Sequence, residues 1–241
     1  MKKLLKRALI FLGAFIFICL LAIFIISDQS PKVIPTISAD ELTNKMLDAL
    51  NKKAFDTLKY VQWTSISNNH FKWHKPSNRA KISWDNVEVY MDLNEVKGDV
   101  YINQVKLNDV EAKKYIDKAW SAWCNDSFWM FAHYKAYDKG TTRTIVPVDP
   151  GKYGLLVSYD SGGVTPGDKY LWVLNEKYIP EGYKMWVKII PVGGVYASWE
   201  NWTKLPNGTM IATDHEMKVM KFQYKEIKSG EQAKDIDWVW R

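Results

Sequence analysis

From Ala8 to Ile26 the chain runs through nineteen residues without a charge. Wound as a helix at about 1.5 Å per residue, such a run is about 28 Å long, close to the thickness of a bilayer's hydrocarbon core. In hydrocarbon every backbone polar group must be satisfied within the segment, so a lone run of this kind has to be a helix. Lys2, Lys3, Lys6 and Arg7 precede it, and the bias of basic residues toward the cytoplasm puts the N-terminus there and all residues after Ile26 across the membrane. A cleaved signal peptide has a shorter apolar region and ends in small residues, whereas this run closes as FIISDQS. Phe17 and Ile18 likewise replace the small residues that lipid modification at Cys19 requires. The expectation is an uncleaved, single-pass anchor over residues 1–26. Residues 27–37 follow as a linker stiffened by Pro31 and Pro35. A domain over 38–227 comes next, then a C-terminal tail over 228–241.

Net charge is +6, but the four basic residues beside the anchor supply most of it. Setting them aside leaves 29 of the 33 basic residues against 27 acidic ones. No block of Lys and Arg appears in the domain, which argues against nucleic acid as a partner. Cys124 is the one cysteine outside the anchor, so the domain has no internal disulfide and must hold by burial and hydrogen bonding. Asn-x-Ser/Thr triplets begin at Asn125, Asn201 and Asn207 and matter only in a host that glycosylates.

Periodicity gives the order of elements. In SADELTNKMLDALNKKAF, Ser38 and Glu41 have capping-box spacing and Leu42, Met46, Leu47 and Leu50 share a face, which predicts an amphipathic helix. From Tyr60 the segments YVQWTSI, NHFKWHK, AKISWDN, EVYMDLNE and DVYINQVKL are β-branched and aromatic with turn residues between them, the pattern of four or five antiparallel strands. A helical period returns between Asn108 and Tyr137, and Asn125–Asp126 is expected to break it into two helices, with Asp126 capping the second. After Gly140 the β pattern resumes through RTIVPV, YGLLVSY, DKYLWVLN, YKMWVKIIPV, VYASWENWTKL, TMIATDHEM and VMKFQYKEI. The fold class is α+β: a curved antiparallel sheet or incomplete β-barrel with a helical lid, preceded by one transmembrane helix.

The glycine-rich run YDSGGVTPG lies between two of these strands. A phosphate loop delivers its glycines into a helix N-terminus, whereas Gly162, Gly163, Pro166 and Gly167 here have the chemistry of a hairpin turn. In the strand that follows, Tyr170, Trp172 and Leu174 point one way and Leu171 and Val173 the other. MWVKII, with Trp186 and Ile190, is apolar on both faces too, so both faces need cover. Twelve Trp, thirteen Tyr and nine Phe either fill a core or line an apolar cavity. The candidate cavity residues are Trp129, Phe131, Trp172 and Trp186. His70 and His74 lie on one face of a strand about 13 Å apart and cannot share an ion. His133 and His215 are core or structural positions by context. No catalytic or metal motif stands out, and no cofactor is implied.

The order of a lone helix, strands, a helical insertion and more strands ending near LPNGTMIAT resembles the lipoprotein-carrier (LolA-like) fold of the bacterial envelope over residues 38–227. The segments NDSFWM, SGGVTPGDKYLWVLN and KMWVKIIPVGG resemble uncharacterised bacterial envelope proteins. This resemblance implies an incomplete barrel, capped by helices, that holds acyl chains against an aromatic and aliphatic lining. It further implies a periplasmic domain on the inner membrane. A tethered chain cannot shuttle, so a fixed lipid receptor or sensor is expected. The alternatives are an interaction or envelope-assembly module with a protein partner and a fully packed core, or a hydrolase using His215 or His133.

Overall fold

In the computed structural model, residues 2–28, 38–149, 152–162 and 164–241 are described. Residues 29–37 of the expected linker, with Pro31 and Pro35, and Gly163 of the glycine-rich loop lie outside the described residues. Helix α1 (Lys2–Ile26) contains a stretch, Leu5–Ile26, long and apolar enough to cross a membrane, none of it buried by the rest of the protein.

Ser38 caps α2 (Ala39–Ala49) as its spacing predicts, its hydroxyl accepting from Glu41 N at 3.3 Å. Met46, Leu47 and Leu50 are buried along the predicted apolar face. A left-handed Asn51 (φ 56°) then turns the chain into the short α3 (Lys52–Thr57).

The described strands form two antiparallel sheets. In the first, β1 (Tyr60–Thr64), β2 (His70–His74), β3 (Arg79–Trp84), β4 (Val87–Asp92), β5 (Lys97–Ile102) and β6 (Val105–Lys106) pair in sequence order. Period-2 burial is clear in β3, where Ala80, Ile82 and Trp84 face inward. In the second, β7 (Thr141–Asp149), β8 (Lys152–Tyr159), β9 (Asp168–Leu174), β10 (Pro180–Trp186) and β11 (Val195–Ser198) are successive neighbours. β13 (Met210–Met217) pairs with β11, β12 (Glu200–Lys204) and β14 (Met220–Gln223). The last strand, β15 (Lys225–Gly230), leaves this sheet and pairs with β1, Lys225 opposite Thr64. The long apolar N-terminal helix and the α+β, antiparallel character are as expected. The strands form two sheets, neither closed into a barrel. The two-residue β6 ends the first ladder, α4 intervenes, and β7 begins a separate one.

Helix α4 (Asp109–Phe131) corrects the expected break: it runs unbroken through Asn125 and Asp126. Its cap is Asn108, whose Oδ1 accepts from Glu111 N at 3.0 Å. Asp126 is buried, so it belongs to the core and does not start a new helix. The N-terminal half of α4 is amphipathic, burying Ala112 and Ala119. Its C-terminal half touches both sheets. Trp123 meets Trp63 and Trp73 of the first at 5.7 and 5.4 Å between ring centroids, while Phe128 meets Tyr170 of the second at 4.7 Å. Helix α4 is a core element shared by two sheets, because apolar rings on different sides of one helix each find a separate sheet to cover them.

Candidate functional site

The loop YDSGGVTPG joins β8 to β9, with Tyr159 opposite Asp168 and Gly167 N donating to Tyr159 O at 2.6 Å. Gly162 (φ 90°) and Gly167 (φ 101°) take the positive torsions that a glycine permits. The run is a hairpin connection from strand to strand.

The four aromatic candidates fall into three places. Trp172 is fully buried, its ring 5.0 Å from Tyr183 and 4.9 Å from Trp199. Trp129, half-buried on α4, meets the same Tyr183 at 5.2 Å, together with Phe222 at 5.0 Å and His215 at 5.2 Å. Phe131 turns the other way, toward Phe55, Trp63 and Trp73. Trp186 lies on the opposite face of the second sheet, packed against Val146, Leu156 and Leu171. Its indole N–H donates to Asp28 O at 2.8 Å. Only Trp129 and Trp172 come together, through Tyr183.

Two histidines are buried in the same aromatic layer. His133 Nε2 faces Met210 O at 3.1 Å and His215 Nδ1 faces Ser198 O at 3.0 Å. A carbonyl only accepts, so those nitrogens carry the protons in the neutral rings. Burial lowers the pKa of His133 to about 3 and that of His215 to about 4. Each ring's second nitrogen is buried without a partner. Both rings pack on Trp199, at 5.2 and 4.7 Å. Neither makes a hydrogen bond to a carboxylate, which a nucleophile-activating base normally needs for orientation. Burial pushes the Cys124 thiol up to about 11, far from a reactive thiolate. Among the described residues no group of three His, Cys, Asp or Glu is placed to hold a metal ion.

A groove with room for a ligand lies elsewhere among the described residues. A groove of about 580 Å3 opens between α2 and one end of the second sheet. Leu155 pairs with both Ile145 and Trp172, so these three share a face. Strand alternation carries that face on to Tyr153 and Leu174 at the groove. Its apolar wall is Leu42, Ile145, Tyr153 and Leu174, and its rim is Glu41, Lys45, Glu176, Lys177 and Glu181. The β9–β10 turn is locked by Asn175, whose Oδ1 accepts from Lys177 N at 2.9 Å and Ile179 N at 3.1 Å. Lys45 pairs with Glu41 at 2.8 Å and lies 5.4 Å over the Tyr178 ring. Their hydrogen bond holds the Glu41 carboxyl below its usual range and Lys45 above. The result is an apolar wall edged by both signs of charge.

None of the four aromatic candidates lines this groove. Leu42 and Leu174 are legible in the sequence as members of apolar faces. Nothing local signals that α2 and a turn more than a hundred residues later share a cleft.

Compared with known proteins, the chain matches no protein-family model, and no curated protein matches it.

Proposed function

We propose that the protein is a membrane-anchored binding protein that holds the apolar part of an amphiphile, an acyl chain or lipid, without transforming it. The observation that carries this reading is the groove of about 580 Å3 between α2 and the second sheet. Its volume falls within the roughly 300–1,000 Å3 of small-molecule sites. The wall of Leu42, Ile145, Tyr153 and Leu174 suits methylene groups, and the charged rim, with Lys45 paired to Glu41 and Lys177 beside Glu176 and Glu181, suits a polar head. Burying about ten methylenes at about 0.8 kcal/mol each offers about 8 kcal/mol before association costs.

The likeness to lipoprotein carriers supports the same ligand class. A half-open barrel under a helical lid is not needed for it, since the groove lies at a sheet end beside α2. With α1 in the inner membrane and Lys2, Lys3, Lys6 and Arg7 in the cytoplasm, the domain stands on the periplasmic side. The groove then serves a fixed receptor rather than a shuttle.

The test is binding of a fluorescent fatty acid to the full chain in short-chain detergent. Leu174→Glu and Leu42→Glu put a charge on the wall at half-buried positions, and each should weaken binding at least tenfold. Val105→Glu, on the edge strand of the first sheet, should leave it unchanged. Equal affinity in all four proteins refutes the groove as a lipid site.

A further inference from the structure

The end of α1 is fastened directly to the domain. Ser27 Oγ accepts from Gly193 N at 2.9 Å, and Asp28 N donates to Gly193 O at 3.1 Å. Trp186 Nε1 donates to Asp28 O at 2.8 Å, and Lys184 pairs with the Asp28 carboxylate at 3.1 Å. The glycines at this contact make room for it. A Cβ at Gly194, which has a φ of 76°, would sit 2.4 Å from Asp28 Cβ, and one at Gly193 would sit 2.8 Å from Asp28 O. Backbone packs on backbone here, so Ser27 and Asp28 seat the end of α1 on the turn between β10 and β11.

That attachment fixes a height above the membrane. Ile26 is the last apolar residue of α1. Ser27 and Asp28 extend the chain by at most about 7 Å at about 3.5 Å per residue. The headgroup layer on each side of a bilayer is about 5–8 Å deep, half the difference between the total and hydrocarbon thicknesses. Gly193 and the turn that carries it therefore lie at headgroup level.

The side chains beside Gly193 fit that level. Ile189, in the same turn, is 73% exposed, and Val164, in the neighbouring β8–β9 loop, is 50% exposed. The loops are joined: Lys188 N donates to Asp168 Oδ1 at 3.1 Å, and the Lys188 side chain lies against Gly167. Trp186 is amphipathic and half-buried, as residues at membrane interfaces commonly are. Lys188 supplies an exposed positive charge; the exposed acids nearby are Asp160, at the start of the other loop, and Asp28, whose carboxylate is paired with Lys184.

We propose that the turn bearing Ile189 and the loop bearing Val164 form a second, peripheral membrane contact. Ile189 and Val164 enter the interfacial layer while Lys188 meets lipid phosphate. Two apolar side chains and one lysine bind weakly alone. Tethered by α1 they are held at high effective concentration against the bilayer, so weak contacts suffice. The contact sets the tilt of the domain on its anchor. It rests on the reading of α1 as a membrane span.

The test uses the full chain, with Cys19 and Cys124 replaced by Ser, in vesicles of phosphatidylethanolamine and phosphatidylglycerol. Single cysteines at Ile189→Cys, Val164→Cys, Val105→Cys and Leu12→Cys carry an environment-sensitive fluorophore. Quenching by aqueous acrylamide is compared with quenching by lipid-attached nitroxide. The expected result is several-fold less acrylamide quenching, and strong nitroxide quenching, at 189 and 164 relative to 105. A label at 12 should report hydrocarbon depth. If 189 and 164 are as accessible as 105 while 12 is buried in lipid, the docking surface is overturned and the span stands. If 12 is also aqueous, the span fails and the docking surface with it.

Discussion

Replacing Asp126 by Asn should make the protein more stable at neutral pH and leave it little changed in acid. Asp126 is 5% exposed on α4, where Asn69 and Ser65 of the β1–β2 turn and Tyr224 of the β14–β15 crossing stand near its carboxyl. Burial raises its pKa from 3.8 to about 6, an effect that Asn69, Ser65 and Tyr224 only partly offset. Ser65 Oγ makes no close hydrogen bond, so these groups temper the burial by proximity more than by good geometry. In the unfolded chain the carboxyl loses its proton near 3.8, whereas in the folded protein it keeps it to about 6. Between those values the native state binds more protons, so this group makes stability fall as pH rises, and the loss is complete above about 6. About two pH units correspond to about 3 kcal/mol. Asn has the same shape and no charge to desolvate. The variant should gain up to about 3 kcal/mol over the parent near pH 8 and converge with it below about pH 4, apart from a constant offset from the altered hydrogen bonding.

The buried histidines act in the opposite sense. Their folded pKa values, about 3 for His133 and about 4 for His215, lie below 6.5. Their contribution is therefore present above about 6.5 and lost as pH falls toward those values. They are common to parent and variant, so the difference between the two profiles isolates Asp126. The assay is urea denaturation of the full chain in detergent micelles, followed by tryptophan fluorescence, at pH steps from about 4 to 8. A stability difference that does not change with pH refutes the reasoning. So does a variant that loses ground as pH rises, because the carboxylate would then be stabilised in its ionised form.

Trp172→Ala should cost the 3–5 kcal/mol typical of truncating a packed core aromatic, because its ring is enclosed by Tyr183 and Trp199, whereas the half-buried Trp129 should cost less; equal losses by denaturant titration count against this ranking. Gly162→Ala should cost about 1 kcal/mol through its positive φ and leave phosphate binding by calorimetry as it was, since open space surrounds the position; a change in anion affinity reverses the hairpin reading.

Several features follow from the chain read locally. The nineteen uncharged residues to Ile26 allow little but a long apolar helix, because length and solvation alone decide it. Ser38 caps α2 because a hydroxyl three residues before Glu41 reaches that residue's N–H whatever the rest of the protein does. The alternation in RAKISW reports which side of that strand meets the core, and GGVTPG reports a turn, because both depend on near neighbours. Tertiary structure decided the rest. Alternation says that β15 has an inner face but not which edge it meets, and its pairing with β1 joins residues such as Lys225 and Thr64 across most of the domain. Asn125–Asp126 carries a local preference to end a helix. That preference is overruled because α4 is held on both sides by rings of the two sheets and because Ser65, Asn69 and Tyr224 surround the Asp126 carboxyl. The groove needs α2 and the β9–β10 turn side by side, and the seat of α1's end needs Asp28 against Gly193. Such juxtapositions arise from burial shared among distant segments, which no short window of sequence contains.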